Sequence, residues 1–185
     1  MKPRGLALVY ATAWMKLIVT ATSTIVPWLL GPSFVVGWAY AGVAVDLLCA
    51  AAFVVIASDE PRVAAPAYVG AVGVVLHPLA FATFGGLGVA GAIRFASIIW
   101  TTTIAAQWLC LVSVTRLRGH VTPPWMGVTF GFVLAVHLVT SSLLPLCAMH
   151  GRHDLIAMAA LGYVTSITGT AIRLLELGLA YRARR

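Results

Sequence analysis

Charge is scarce in this 185-residue chain: charged residues make up 9% of it, and only five of them are acids. Soluble domains carry about 25% charged residues, whereas 61% of this chain is hydrophobic. The polar stretches between the apolar runs are too short to hold a second folded domain. The composition excludes an ordinary soluble protein. It predicts an all-α, polytopic membrane bundle, with residues 1–185 forming a single transmembrane domain.

Paired cysteines and familiar catalytic motifs are also missing. There is no CxxC pair, no glycine-rich phosphate loop, no DDxxD-type magnesium cluster and no GxSxG nucleophile elbow. The pattern HxxHD at residues 150–154 lacks further ligands at a known spacing, which favours a solvated loop over a metal site. We therefore expect no metal and no cofactor. The three cysteines lie inside apolar runs, as small buried hydrophobic residues do: Cys49, Cys110 and Cys147.

Apolar runs separated by charges and turn residues predict six membrane helices. At 1.5 Å per residue, about 20 residues cross a hydrocarbon core about 30 Å thick. Glycines mark one predicted break, after the third run, at Gly85, Gly86 and Gly88. The predicted helices cover residues 6–30, 34–57, 65–84, 92–114, 125–148 and 155–180.

Basic residues give the chain a net charge of +7, but they lie at the ends of the apolar runs. This placement is typical of topology signals and argues against nucleic acid as a partner. With the N-terminus inside, only Arg94 and Arg152 fall in outer loops. The distribution predicts an integral protein of a bacterial cell membrane with both termini in the cytoplasm. The inner side holds eight basic residues: Lys2, Arg4, Arg62, Arg116, Arg118, Arg182, Arg184 and Arg185.

The second predicted helix, residues 34–57, is apolar apart from one acid near its centre, Asp46. A charged side chain at the middle of a bilayer costs roughly 2.5 to 3.5 kcal/mol on insertion scales. Such a residue is a functional candidate by default, so Asp46 is the first candidate for a catalytic group.

Four polar side chains on other predicted helices lie at a depth similar to that of Asp46. Side chains this costly in lipid turn inward and pair with one another. We expect them to share one cavity with Asp46 and to bind a substrate there. A purely structural cluster, such as an ion pair between Asp46 and a lysine, is the alternative. The four residues are Lys16, His77, Gln107 and His137.

The sixth predicted helix carries Arg173 and Glu176, which are neighbours on one face because they are three residues apart. Their position near the predicted inner end favours a pair that snorkels to the interface. In a deeper helix, Glu176 becomes a second buried carboxyl that divides acid and base roles with Asp46. Trp38, two turns before Asp46, is a candidate for stabilising a positive charge with its ring face; an interfacial position is the alternative.

This layout resembles the integral-membrane terpene cyclases of meroterpenoid and indole-terpenoid pathways. The resemblance rests on a small bundle with an acid in the second helix (GVAVDLLC), an acid in the last helix (IRLLELGL), interior aromatic residues and no metal motif. It implies that Asp46 and Glu176 are catalytic, and that a carboxylic acid protonates an epoxide or alkene of a prenylated lipophilic substrate that enters from the membrane lipid. Fungal members have seven spans instead of the six predicted here, and the two acid types are reversed.

Three other functions stay open. A proton- or ion-coupled transporter would use the inward polar residues as a relay. A b-type cytochrome would use His77 and His137 as haem ligands. An accessory protein would hold the same residues as a structural core. A cation beside Asp46 would favour its charged form and would count against a role as proton donor. The substrate and the oligomeric state are not defined by the sequence.

Overall fold

The computed structural model describes residues 3–22, 32–82, 84–149 and 155–185. Within these ranges it describes all side chains except those of residues 3, 32–39, 78–90, 92–93, 144–149 and 155–158. Most of the described chain is helical, with a connection at residues 118–123 between the fourth and fifth helices and a short 3₁₀ turn, Pro61–Val63, before the third. Its α-helices are α1 Pro3–Thr22, α2 Pro32–Asp59, α3 Ala64–Ala82, α4 Phe84–Leu117, α5 Pro124–Met149 and α6 Leu155–Arg184.

The helices form a ring in which each helix packs against the next one along the chain. Helix α6 returns to pack against α1, and it also contacts α4 across the ring. The core is tightest at the end of the bundle where α1 begins and where α2, α4 and α6 end. Four large side chains there are at most 1% exposed: Leu6, Ile56, Val114 and Leu179.

The outward faces of the helices are apolar. Tyr40, Val128, Phe132 and Ile167 are each at least 67% exposed. A soluble monomer rarely exposes apolar surface of this extent. Four segments of the described chain are also long and apolar enough to cross a bilayer: Arg4–Thr22, Tyr40–Asp59, Arg94–Leu117 and Pro124–Leu143. These findings confirm the helical bundle and support its association with a membrane.

The predicted helix bounds are partly wrong. Gly85, Gly86 and Gly88 lie in the first turns of α4, which begins at Phe84, and not in a break. Glycine costs only about 1 kcal/mol relative to alanine inside a helix. Continued backbone hydrogen bonding in apolar surroundings outweighs that cost. The predicted stretch 23–30 of the first helix lies outside the described residues.

Two helix ends also differ from the prediction. Helix α2 begins at Pro32, inside the predicted turn, because proline needs no intrahelical N–H partner in a first turn. Helix α6 continues to Arg184, four residues past the predicted end at residue 180. The longer α6 places its charged residues deeper in the bundle than the sequence indicated.

Helices α3 and α4 approach closely at two glycines. A Cβ atom at Gly70 would come within 2.8 Å of Cγ of Gln107, and one at Gly73 would collide with the hydroxyl of Thr103. The backbone carbonyl of Gly70 accepts a hydrogen bond of 3.1 Å from Nε2 of Gln107. Small residues thus permit the contact that holds α3 against α4.

The end of α4 is fixed by its own backbone and by α6. Gly119 has a φ of 80°, and the N–H groups of Gly119 and His120 donate to the carbonyls of Arg116 and Thr115, which completes a Schellman motif. Arg118 Nη1 then donates to the carbonyl of Ala183 at 2.7 Å. This bond joins the ends of α4 and α6.

Candidate functional site: a charged chamber inside the bundle

An ion pair joins α1 to α2 in the middle of the bundle. Lys16 Nζ lies 3.0 Å from Asp46 Oδ1. The two side chains differ in access, since that of Lys16 is 6% exposed and that of Asp46 is 46% exposed. The ammonium is therefore buried behind a carboxylate that a small molecule can reach.

A second ion pair lies within α6. Arg173 Nη1 donates to Glu176 Oε2 at 2.6 Å, and the two side chains are 9% and 6% exposed. The prediction that this pair snorkels to the surface is wrong, because both residues face the interior with Ile172 and Leu179, which are fully buried. The other carboxylate oxygen, Glu176 Oε1, is also buried and has no hydrogen-bond partner in the described part of the chain.

A cavity of about 230 Å³, which we call the chamber, opens beside these pairs. Charged and aromatic side chains line the chamber, so it is not a purely apolar cavity. A side pocket of about 20 Å³ adjoins it and shares four of its lining residues; this is room for about one water molecule. The polar and aromatic residues that line the chamber are Lys16, Thr20, Asp46, Trp100, His137 and Arg173.

The ring of His137 is oriented by α6. Its Nδ1 atom lies 3.0 Å from the carbonyl oxygen of Thr165 and 3.0 Å from the hydroxyl of Thr168. A carbonyl oxygen only accepts, so we assign the hydrogen to Nδ1 from this network. In the neutral ring, Nε2 is then an acceptor. The imidazole also stacks on Trp100, with ring centroids 4.5 Å apart and planes inclined by 20°.

His77 and Gln107 line the side pocket and not the chamber. Gln107 is 1% exposed, and its amide N–H is used for the contact with Gly70. His77 is half-buried and lies within electrostatic range of Asp46. The structure therefore brings all five predicted polar residues to two adjoining cavities, but it gives Gln107 a packing contact of its own.

The aromatic residue of the chamber is Trp100, not a residue selected from the sequence. Arg173 Cζ lies 6.0 Å from its ring centroid, and its ring also stacks on His137. The side chain of Trp38, the predicted aromatic contact, lies outside the described side chains. The spacing of seven residues between Trp100 and Gln107 places them on one face of α4, and this pattern is the signal that the sequence offered.

Charges balance within the site. Two cations and two anions lie within electrostatic range of Cys49, which is buried on α2 one turn after Asp46. Arg173 also interacts electrostatically with Asp46. Within the described ranges, no group of three or more His, Cys, Asp or Glu side chains is placed to hold a metal ion. The four charges thus form one continuous cluster: Lys16, Asp46, Arg173 and Glu176.

The fold and the site define a class of protein: a six-helix bundle with apolar outer faces around a small, charge-balanced chamber. Comparison of the chain with family models, with curated proteins and with solved structures gave no match. The resemblance to membrane terpene cyclases stays a prediction that these comparisons do not test.

Proposed function

We propose that this chain is an integral membrane protein whose six helices all cross the bilayer. The apolar outer faces support this proposal, as does the inward position of the charged pairs. The chamber then lies near the middle of the membrane. A site at that depth is typical of proteins that carry solutes across it.

The function that the site supports best is a proton-coupled carrier of a small polar solute. The observation that carries this proposal is the unequal access to the Lys16–Asp46 pair, with side chains 6% and 46% exposed. A proton entering the chamber reaches the carboxylate of Asp46, and its uptake removes the partner of the Lys16 ammonium. A buried charge without its partner costs about 3–5 kcal/mol. The chamber therefore has two charge states with different preferences for a solute, which is the basis of coupling.

The second ion pair contributes Arg173 to the lining of the chamber and Glu176 as a further proton acceptor. Arg173 lines the chamber and is held there by Glu176. The oxygen Glu176 Oε1, buried and without a partner in the described chain, is an acceptor that a proton or a water molecule would satisfy. Glu176 is thus a second, buried acceptor in the cluster, whereas Asp46 is the acid that lines the chamber.

An acid-initiated terpene cyclase is the second candidate. The exposed carboxyl group of Asp46 beside the ring of Trp100 favours it, since an aromatic wall stabilises carbocations. Two features weigh against it. Both acids are paired with cations, which favours their charged forms. A cyclase needs its acid neutral before the reaction begins, whereas a carrier needs it charged at rest and protonated only together with the solute. The volume of the chamber, about 230 Å³, is also smaller than that of sites for drug-sized ligands, which measure about 300–1,000 Å³.

A haem between His77 and His137 is not supported. Trp100 lines both the chamber and the side pocket, and it stacks on the imidazole of His137. A macrocycle between the two histidines would have to displace this indole.

Proton flux into liposomes tests the carrier. Purified protein is reconstituted around a pH-sensitive dye, the membrane voltage is clamped, and small amino acids, carboxylates and amines are added outside one at a time. We expect at least one solute to accelerate acidification by wild type, and no acceleration by Asp46→Asn. Asp59→Asn is the matched control, because it makes the same change at the end of α2, away from the chamber.

A wild-type protein that moves no protons with any solute would overturn the carrier. The same membranes are then incubated with prenylated aromatic substrates, with and without a terminal epoxide. Cyclised product from wild type and none from equally abundant Asp46→Asn would establish the cyclase instead.

A further inference from the structure

The charge balance of the chamber indicates what kind of solute it takes. We propose that the chamber binds a small monocarboxylate anion together with one proton. This inference rests on the proposed function of a proton-coupled carrier and names its substrate class.

The resting chamber disfavours any single ion. Lys16 and Arg173 carry two positive charges, Asp46 and Glu176 carry two negative charges, and each cation is paired at 3.0 Å or less. A cation that enters alone leaves one uncompensated positive charge beside two protein cations. An anion that enters alone faces the accessible carboxylate of Asp46. Both are costly where water is scarce.

A proton changes this balance in favour of an anion. Once Asp46 is neutral, the ammonium of Lys16 has lost its partner and holds donors for a new acceptor. The cluster then carries one net positive charge, which one monovalent anion cancels. A cation gains nothing from the same step, because protonation makes the chamber more positive.

Arg173 supplies donors to the same chamber from a different helix, α6. In the described chain its guanidinium makes one hydrogen bond, from Nη1 to Glu176. An arginine has five N–H donors, so further donors are available at the chamber wall. Lys16 and Arg173 together suit the two oxygens of a carboxylate.

Uptake of a proton by another titratable group near Asp46 would change the net charge of the chamber in the same direction. Titratable groups come from every neighbouring helix except α4, whose lining residues do not titrate: Trp100, Thr103, Ile104 and Gln107. A proton on a neutral histidine would also add one positive charge and favour an anion. Asp46 remains the preferred site because it is accessible and its neutralisation frees a cation. The groups are Lys16 on α1, Cys49 on α2, His77 on α3, His137 on α5, and Arg173 and Glu176 on α6.

The size and the wall of the chamber restrict the anion further. A volume of about 230 Å³ suits a short carboxylate and not a fatty acid. The indole of Trp100 offers an apolar contact for a short alkyl group. Acetate, lactate and butyrate are therefore the probes that match the site.

Binding to the purified full-length protein tests the inference without relying on transport. Thermal unfolding is followed with each probe at constant ionic strength, at about pH 5.5 and about pH 7.5, with methylammonium and chloride in parallel arms. We expect carboxylates to bind wild type at least about tenfold more tightly at the lower pH, and methylammonium to have no effect.

Three variants separate the steps. Asp46→Asn imitates the protonated acid, so carboxylates should bind it at about pH 7.5 at least as tightly as they bind wild type at about pH 5.5, with little pH dependence. Lys16→Gln should lose carboxylate binding, and Asp59→Asn should behave as wild type. Where Lys16→Gln does not fold, the pair Lys16→Gln and Asp46→Asn replaces it, because neither charge is then left alone.

Carboxylate binding that is equal at both pH values in wild type would overturn the inference, and so would binding of methylammonium in place of the anions. Chloride binding as tight as that of the carboxylates would overturn the choice of a carboxylate. The two proposals also fail separately. Proton flux driven by amines with no anion binding leaves a carrier with a different solute, whereas pH-dependent anion binding without flux contradicts the carrier.

Discussion

The two ion pairs beside the chamber contain the same kinds of charge but differ in access. Arg173 and Glu176 lie on one helix, 2.6 Å apart, with side chains 9% and 6% exposed. Lys16 and Asp46 come from two helices, 3.0 Å apart, and the carboxylate is 46% exposed. Glu176, the acid of the first (closed) pair, lines neither cavity, whereas Asp46, the acid of the second (open) pair, lines both. The comparison teaches that burial of a charged side chain does not by itself indicate a functional role. Access of the acid to the chamber, as at Asp46, is the better indicator.

Removing the acid of each pair should affect stability most at the closed pair. Glu176→Gln leaves the guanidinium of Arg173 buried without its counter-charge, which costs about 3–5 kcal/mol. Asp46→Asn makes the same kind of change where the chamber admits water, and we expect a loss of about 1–3 kcal/mol. Unfolding of the purified variants by heat or denaturant in detergent measures both.

The predicted difference between the two pairs would be contradicted if Asp46→Asn destabilised the protein as much as Glu176→Gln. Such a result would make the open pair a structural pair as well. Asp59→Asn controls for the loss of an acid elsewhere on α2 and should be close to wild type.

A disturbed contact between α3 and α4 should act on the side pocket, which both residues of the open pair line. Gly73→Ala places a methyl group against the hydroxyl of Thr103, which lines the side pocket next to Asp46. We expect a cost of about 1–3 kcal/mol from overpacking, with a change in solute binding. Gly127→Ala is the matched control, since nothing lies within 4 Å of its added carbon. Equal stability of the two variants would show that the close approach is unimportant.

A third ion pair extends the comparison to a loop. Glu60 accepts hydrogen bonds from Arg62 Nε at 2.7 Å and Nη2 at 2.9 Å. These bonds hold the pKa of the Glu60 carboxyl below its usual range. Its contribution to stability is therefore present above the ordinary glutamate pKa of about 4.3 and is lost as the pH falls through the lowered pKa.

The effect at Glu60 should be the smallest of the series, because its partner Arg62 is 69% exposed and an ion pair with a solvated partner contributes little, even though the Glu60 side chain itself is 11% exposed. We expect Glu60→Gln to be slightly less stable than wild type at neutral pH, and the difference to vanish in acid. Unfolding curves of both proteins across this range check the sign. A difference that grows as the pH falls would contradict it.

Much of the site was predictable from depth along each apolar run. Counting residues from the predicted helix starts placed Lys16, Asp46, His77 and His137 in one layer, and the structure brings them to adjoining cavities. Depth along the helix predicted these positions because charged and polar side chains on apolar helices are costly in lipid and therefore face the interior of the bundle.

The errors came from helix ends and from rotation about the helix axis. Arg173 and Glu176 were placed at a surface because α6 was predicted to end at residue 180, and the true end at Arg184 sets them deeper. Trp100 was not selected because a single polar residue seven positions away, Gln107, marks only weakly which face of a mostly apolar helix turns inward. Only the neighbouring helices determine which of its residues line a cavity.

The length of α4 has a consequence for the surrounding bilayer. Its 34 residues, Phe84–Leu117, make a rod about 50 Å long, whereas a typical hydrocarbon core is about 30 Å thick. If the helices cross the bilayer as proposed, such a helix must tilt or project into the headgroup layer, and either response depends on local membrane thickness. Since α4 carries Trp100, a thicker or thinner bilayer would rotate one wall of the chamber against the others. Acyl-chain length is then a variable that sets the shape of the site.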